Sequence, residues 1–278
     1  LRRLARPAGR LRGAVGHLAL ARAGRTSVPA VLPLLALLTA LTTAAFGGSV
    51  LTGVTDTRDR AALLTTGADA RVEGTGPLPS ALADRVRRTP GVDGLTEVSI
   101  AYEARTSNGR QTLPVAGVDP AAYAKLAART DLGSFAADDL EQPGGQDEPL
   151  RALASPTVAE RFGTEPFRVR MEDGTAVVLR ISVVRDLTPA VFGDEFLVVD
   201  RAGLSAEAAR PNVLLLTGDR LDGGALRRAT GDAGSVHLRA QERARYVDSP
   251  LQSGAERVYT AAVAAGAGYA VLALLLSL

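Results

Sequence analysis

Two long segments without any charged residue lie near opposite ends of the chain. They cover residues 26–55 and 258–278, and both are dominated by apolar side chains. A helix needs roughly 20 apolar residues to cross the hydrocarbon core of a bilayer, so both segments are long enough. The pattern predicts two transmembrane helices that flank a separate polar region.

The apolar periodicity continues beyond each predicted span into polar sequence. Steps of four and three residues, the spacing of a coiled-coil seam, connect Val50, Val54, Thr57, Ala61 and Leu64, and likewise Leu251, Ala255 and Val258. Before the second span, Ser249-Pro250-Leu251-Gln252 has the order of a capped helix start. We therefore predict two helical stalks that face each other, over residues 56–66 and 249–257.

Small residues recur at every fourth position within both predicted spans. Such a stripe allows a second helix to approach closely in a membrane. The residues are Thr39, Thr43 and Gly47 in the first span, and Thr260, Ala264 and Gly268 in the second. They predict packing against further transmembrane helices of the same protein.

The region between the stalks mixes strand and helix patterns. A short strand at 70–73, a helix near 80–88 and an alternating strand at 98–104 form one unit, and a turn at Ser107-Asn108-Gly109 leads to a return strand at 113–115. A second unit has a strand at 213–217, a helix near 225–229 and a strand at 235–241. The two units predict an α+β domain with a split β-α-β core over residues 67–118 and 212–248.

An inserted β-rich subdomain is predicted over residues 119–211, between the two halves of this core. Alternating residues at 167–171 and 177–183 flank an Asp173-Gly174 turn, and a further strand follows at 196–199. The segment 131–149 is acidic and rich in Gly and Pro, which predicts a mobile loop. A partner contact by this loop is an alternative.

Charge is distributed very unevenly along the chain. Residues 1–25 contain seven arginines and no acidic residue, so the formal net charge of +2 becomes −5 for the remainder. Basic flanks stay in the cytoplasm, which places the N-terminus inside the plasma membrane and residues 56–257 outside it. The basic flank forms either an amphipathic helix or an irregular segment. Because only 4% of the residues are aromatic, nucleic acid is not an expected partner.

Few residue types that support catalysis are present. The chain has no cysteine and two histidines, His17 and His237, which the predicted topology places on opposite sides of the membrane. A Ser-His-Asp arrangement around His237 stays open, although a structural histidine in a strand is favoured. No phosphate-binding P-loop or metal motif occurs, so we expect no enzyme activity, no ATP hydrolysis by this chain, and no cofactor or metal.

Several segments together resemble a known transporter family. They are the apolar run 32–38 with Phe46-Gly47-Gly48, the exit segment 57–62 with 67–72, and the re-entry segment 249–254 with Tyr259 and 268–278. Over nearly its whole length the chain resembles one repeat unit of an actinobacterial FtsX-like, MacB-type ABC transporter permease.

That resemblance implies a ferredoxin-like outer domain with an inserted part and a separate cytoplasmic ABC ATPase as partner. Such permeases couple ATP hydrolysis to movement of the outer domain, for export, for efflux or to activate an external partner. The chain departs from the family pattern because it stops in the second span, before the later spans and the loop that contacts the ATPase. It is therefore expected to be a segment of a longer protein.

Two other classes of function remain open. A membrane-anchored sensor would place a ligand-binding domain outside the membrane and send the signal inward. The other hypothesis is a membrane-tethered hydrolase, which the small number of histidines and cysteines disfavours.

Overall fold

The computed structural model describes residues 31–106, 112–142, 148–245, 260–261 and 264–268. The basic flank, the predicted turn at 107–109, the stalk at 249–257 and most of the second predicted span lie outside these residues. The chain divides into two compact units, one formed by Leu1–Thr57 with Val247–Leu278 and the other by Arg58–Tyr246.

One continuous helix, α1, covers Val31–Thr66. Its threonine hydroxyls bond back along the helix, as when Thr39 donates to the Leu35 carbonyl and Thr43 to the Thr39 carbonyl. Near the other end of the chain, residues 260, 261 and 264–268 are also helical. Among the residues whose side chains the structure describes, no helix is long and apolar enough to cross a membrane, so the two spans and their stalks stay predictions.

The second unit combines a mixed sheet with short helices, which confirms the predicted α+β class. Its strands, in chain order, are β1 Ala70–Glu73, β2 Gly94–Thr106, β3 Thr112–Val118, β4 Leu150–Ala154, β5 Phe167–Arg170, β6 Ala176–Val184, β7 Leu197–Asp200, β8 Val213–Thr217 and β9 Ser235–Leu238. The helices that follow α1 are α2 Ser80–Arg87, α3 Pro120–Thr130, α4 Pro156–Phe162, α5 Gly223–Thr230 and α6 Arg239–Arg245.

Four strands and two helices form the part of the second unit that adjoins α1. The strands lie in the order β9-β1-β8-β2, and every neighbouring pair is antiparallel. Strands β1 and β2 flank α2, and β8 and β9 flank α5, so this part consists of two β-α-β units. Leu82 and Val86 of α2 and Leu226 of α5 pack with strand residues such as Leu214 to form its core.

The strands from β2 to β7 close into a ring. The 13-residue strand β2 pairs with β3 and β5, and the remaining pairings run β3-β7-β4-β6-β5. Two of them, β3 with β7 and β4 with β6, are parallel. Buried side chains of the ring, including Leu113, Val169, Leu179 and Leu197, form a second core. The sheet is therefore continuous across residue 118, where the sequence predicts a boundary between core and insertion.

One predicted strand is wrong in its second half. The strand predicted at 235–241 ends at Leu238, and α6 begins at the next residue. Leu238 pairs with Ala70, which is the first residue of β1, so the neighbouring strand offers no further partner. The following sequence, Arg-Ala-Gln-Glu-Arg-Ala-Arg, consists of residues that favour helix.

Candidate functional site

The segment that enters the second unit and the segment that leaves it lie side by side. Residues 58–66 of α1 lead into β1, while α6 follows β9, and β1 and β9 are paired neighbours. We call these two helical segments, residues 58–66 and Arg239–Arg245, the connector junction. Both chain connections to the flanking apolar segments thus meet at one place.

Ion pairs join the two sides of the connector junction. Arg243 Nε lies 2.7 Å from Asp59 Oδ1, and Arg239 Nη1 lies 3.5 Å from Asp69 Oδ1. The Arg239 amide also donates to the Asp69 carbonyl at 3.0 Å. Asp69 is fixed in turn, because its Oδ2 accepts a 3.0 Å hydrogen bond from the Gly218 amide. Charged contacts therefore set the position of α6.

Helix α6 contributes almost nothing to an apolar core. Glu242 is its one buried residue, and that carboxylate lies 2.9 Å from Arg245 Nη1. His237 Nδ1 of β9 is 3.8 Å from the same carboxylate. Most surface helices are held by an apolar face, so a helix held by charges is unusual.

A polar network lies on one face of β1, beside the connector junction. Residues two apart in a strand share a face, which brings Arg71 and Glu73 together, opposite the buried Ala70 and Val72. The buried Arg71 donates from Nε to Glu73 at 2.9 Å and from Nη2 to the Tyr102 hydroxyl at 3.2 Å. The Tyr102 hydroxyl donates to the second oxygen of Glu73.

The network shifts the pKa values of its members. Burial by itself would raise the pKa of Glu73, but the hydrogen bonds from Arg71 and Tyr102 and the charges of Arg71 and His237 outweigh burial and lower it. Burial, together with the adjacent Glu73, raises the pKa of Tyr102 to about 12. At neutral pH the network therefore contains a carboxylate, a guanidinium and a neutral phenol.

Glu73 and Tyr102 separate two open clefts. The larger, of about 750 Å³, extends toward the ring and is lined also by the carboxylates of Glu172, Asp173 and Glu207. The smaller, of about 380 Å³, is lined by Thr66 at the end of α1 and by Phe192, His237 and Glu242, among others. The smaller cleft is therefore adjacent to the connector junction.

His237 has neighbours of the kinds found in hydrolytic triads, but its geometry is loose. Its Nε2 lies 3.0 Å from Ser235 Oγ, while its Nδ1 is 3.8 Å from Glu242, beyond hydrogen-bond range. Arg245 already engages the Glu242 carboxylate. Within the described residues, no group of three or more His, Cys, Asp or Glu side chains is arranged to hold a metal ion.

The predicted stalk residues occupy one flank of α1, next to its buried face. Ala62, Leu63 and Thr66 are buried, whereas Ala61 and Leu64 are half-buried and Thr57 is exposed. Further back along α1, Val54 is half-buried and Val50 exposed. The other half of the predicted seam, Leu251, Ala255 and Val258, lies outside the described residues. The pairing of the two stalks stays a prediction.

The predicted helix-packing residues are mostly on the surface. Thr39 and Thr43 are exposed and Gly47 is half-buried, and Thr260, Ala264 and Gly268 are exposed in their helical segments. Their contacts with further helices stay a prediction. The sequence interpretation did not identify Asp59, Asp69, Arg239 or Arg243, although the alternating charges of 56–60 and 239–245 were visible. The opposite charges in these two segments were the signal from which their contact could have been predicted.

Comparisons with known proteins found several solved structures that match this chain. One of them is the periplasmic region of MacB from Actinobacillus actinomycetemcomitans, which superposes with a TM-score of 0.42 at 10% sequence identity. The match covers 67% of this chain and 96% of that chain. No protein-family model matches the sequence, and no curated protein matches it at the significance level applied. A likeness this distant assigns neither family nor activity.

Proposed function

We propose that residues 58–246 are the extracytoplasmic domain of an FtsX-like, MacB-type ABC transporter permease. In this proposal two membrane-spanning helices carry the domain, and the N-terminus is cytoplasmic. The partners are a separate cytoplasmic ABC ATPase, the remaining transmembrane helices of the permease and the lipid bilayer. The domain moves when the ATPase hydrolyses ATP, and this movement drives export or efflux across the plasma membrane.

The observation that carries the proposal is the meeting of both chain connections at the connector junction. The 2.7 Å ion pair between Asp59 and Arg243 brings the entering and leaving segments together, as a domain inserted between two adjacent spans requires. The sequence resemblance in segments 32–48, 57–72 and 249–278 supports the same layout. Proteins that work in this way need no catalytic residue in the outer domain.

The continuity of α1 suits a mechanical role. A helix of 36 residues with a rise of about 1.5 Å per residue is about 54 Å long. It ends at Gly67, whose amide donates to the Leu63 carbonyl at 2.7 Å, and β1 begins three residues later. A displacement of α1 along or about its axis is therefore delivered directly to β1.

We propose further that the domain is not an enzyme. The 3.8 Å separation of His237 from Glu242 and the competing Arg245 contact support this reading. The full chain should then show no turnover of generic ester or peptide substrates above that of a Ser235→Ala variant. Turnover that depends on Ser235 would overturn this part of the proposal.

Membrane topology provides the decisive test of the proposal. Because the chain contains no cysteine, single cysteines can be introduced on an unlabelled background. The Glu165→Cys variant carries its thiol at an exposed position of the second unit, and the Ala8→Cys variant carries it in the basic flank. We expect a membrane-impermeant maleimide to label Glu165→Cys from outside the membrane and Ala8→Cys only from inside.

The reverse labelling pattern, or recovery of the chain in the soluble fraction without detergent, would refute the proposed topology. Coupling requires a second measurement, in which the complete permease is purified with its proposed partner ATPase. ATP hydrolysis by that ATPase should change when the permease is present. If the labelling confirms the topology but the rate of ATP hydrolysis is unchanged, the topology is correct and the proposed transport function is wrong.

A further inference from the structure

We propose that α6 is an ionic latch, in which Arg243 is the positioning residue that holds α6 against residues 58–66 of α1. In the closed latch Arg243 pairs with Asp59, and in the open latch this pair separates while α6 stays attached through Arg239 to Asp69 and through Gln241 to Arg227 of α5. The role of the latch in coupling rests on the proposed function. The existence of the latch does not depend on that function. Opening the latch would allow α6 to move independently of residues 58–66 of α1.

The attachment at the start of α6 differs from the attachment near its end. Arg239 is held through its own amide, which donates to the Asp69 carbonyl at 3.0 Å, as well as through its side chain. Asp69 is anchored to β8 by its amide, 3.0 Å from the Leu216 carbonyl, and by its carboxylate. This end of α6 is therefore a fixed pivot.

Among the residues that the structure describes, the contact that ties the end of α6 to α1 is an exposed ion pair. The Arg243 and Asp59 side chains are 49% and 34% exposed, so solvent reaches both charges. Glu242 pairs with Arg245 of α6 and faces His237 of β9. Arg243 is thus the residue whose release would separate α6 from α1 beyond the pivot.

In the described part of the chain, no apolar side chain of α6 is buried. A helix of seven residues is too short to be stable alone in water, and the single buried residue of α6 is a glutamate. Helix α5 provides the contrast, because it buries Leu226 among β-strand side chains. The docking of α6 is therefore electrostatic, reversible and sensitive to salt.

The strength of such a pair suits a latch. Exposed ion pairs shift an equilibrium by a factor of about 1.4 to 5, and salt screens them. A force or charge change of modest size can therefore open and close the contact. A buried apolar interface would hold the two helical segments of the connector junction together permanently.

The test measures amide hydrogen exchange of residues 239–245 in the full chain, in detergent at low ionic strength. Arg243→Asp and Asp59→Arg each remove the attraction and place like charges together, and we expect exchange in this segment to become about 2- to 30-fold faster. The double variant with both substitutions restores opposite charges, and its exchange should return to within about 3-fold of the original. Arg243→Lys should retain most of the protection, because it keeps the charge.

Two controls separate the latch from a general loss of structure. Arg87→Asp breaks an exposed ion pair within α2 and should leave exchange in 239–245 unchanged. Molar salt should reduce the difference between the original chain and Arg243→Asp, because both then have an open latch. If the single variants exchange as slowly as the original chain, or if the double variant exchanges as fast as the singles, there is no latch.

The role of the latch in coupling is tested separately in the permease with its ATPase. The single variants should uncouple ATP hydrolysis from transport, and the double variant should restore coupling. Restored exchange protection without restored coupling would refute that role and leave the latch itself in place. Failure of the membrane topology would refute the proposed function and leave the exchange experiment valid.

Discussion

Arg71 Nη1 donates a 2.9 Å hydrogen bond to the carbonyl oxygen of Ala190, which lies 119 residues further along the chain. The contact joins β1, next to the connector junction, to the segment that precedes β7 of the ring. Tyr123 fixes the same segment, since its buried hydroxyl accepts a 2.8 Å hydrogen bond from the Ala190 amide. Arg71 therefore connects β1 to the segment that leads into β7 of the ring.

Replacing Arg71 by Met should destabilise the second unit. The Arg71 side chain is 10% exposed and donates to Glu73, Tyr102 and the Ala190 carbonyl. Its loss leaves that carbonyl without this donor and leaves the half-buried Glu73 carboxylate with the Tyr102 donor but without the guanidinium. We expect the free energy of unfolding to fall by about 2 kcal/mol, after allowing for the partial exposure of Glu73.

Urea denaturation of the full chain in detergent provides the measurement, with Arg87→Met as the matched control. Arg87 forms an exposed pair with Asp84, and its replacement should change the free energy of unfolding by less than about 0.5 kcal/mol. Equal effects at the two positions would contradict the assigned role of Arg71.

The contribution of Glu73 to stability should depend on pH. Its pKa in the folded state lies below the ordinary value of 4.5, so its carboxylate stabilises the fold above that value. The contribution is lost as the pH falls through the folded-state pKa. The difference in unfolding free energy between the original chain and Glu73→Gln should be largest near neutral pH and narrow in acid. A difference that stays constant from about pH 7 to about pH 3 would contradict this sign.

Glu73 should also control the ionisation of Tyr102. Burial and the neighbouring carboxylate raise the pKa of Tyr102 from 10.0 to about 12, so its neutral form stabilises the fold until the pH rises through that value. Glu73→Gln removes the negative charge and should lower this pKa, though not fully to the ordinary value, because the burial remains. Alkaline titration followed by tyrosinate absorbance measures the shift, and a Tyr102→Phe variant identifies the band. An unchanged titration would show that burial alone sets the pKa.

The sequence allows the local elements to be predicted and leaves the long-range pairing undetermined. Strand β8 and the hairpin β5-β6 have alternating or continuous apolar patterns with clear turn residues, and they form near the expected positions. Helix α3 carries a usable signal, since Asp119 caps it by accepting from the Ala122 amide and Pro120 opens it. Strand β4 is harder to detect, because two of its five residues are alanine, which has low strand propensity.

The ring and the connector junction depend on contacts that no local pattern encodes. The parallel pairings β3-β7 and β4-β6 join strands separated by other elements, and a strand does not specify its partner through its own alternation. Asp59 and Arg243 are separated by nearly the whole second unit. Their charges are visible in the sequence, but their contact follows only from the adjacency of β1 and β9.

The end of α1 should tolerate no side chain at Gly67. This glycine has a φ of +74°, and a Cβ there would lie 1.8 Å from the carbonyl oxygen of Pro189. Gly67→Ala therefore requires both a strained backbone and a movement of the Pro189 segment, and we expect a loss of at least about 3 kcal/mol in unfolding free energy. Gly174 is the matched control, because its φ is +85° but no atom lies within 4 Å of an added Cβ. Gly174→Ala should lose only about 1 kcal/mol, and similar losses at both positions in urea denaturation would contradict the crowding at Gly67.

A proline at Ala61 should separate ATP hydrolysis from movement of the outer domain. Proline removes an amide donor and clashes with the carbonyl four residues earlier, so Ala61→Pro should kink α1 at a half-buried position in the part of α1 that belongs to the second unit. The cores of the second unit lie elsewhere, so the domain should stay folded and the permease should still assemble with its ATPase. Under the proposed function, ATP hydrolysis then continues while transport is lost, whereas Ala61→Ser, which preserves the helix, should retain both activities. Transport at the original rate in a correctly assembled Ala61→Pro permease would show that α1 does not transmit the movement.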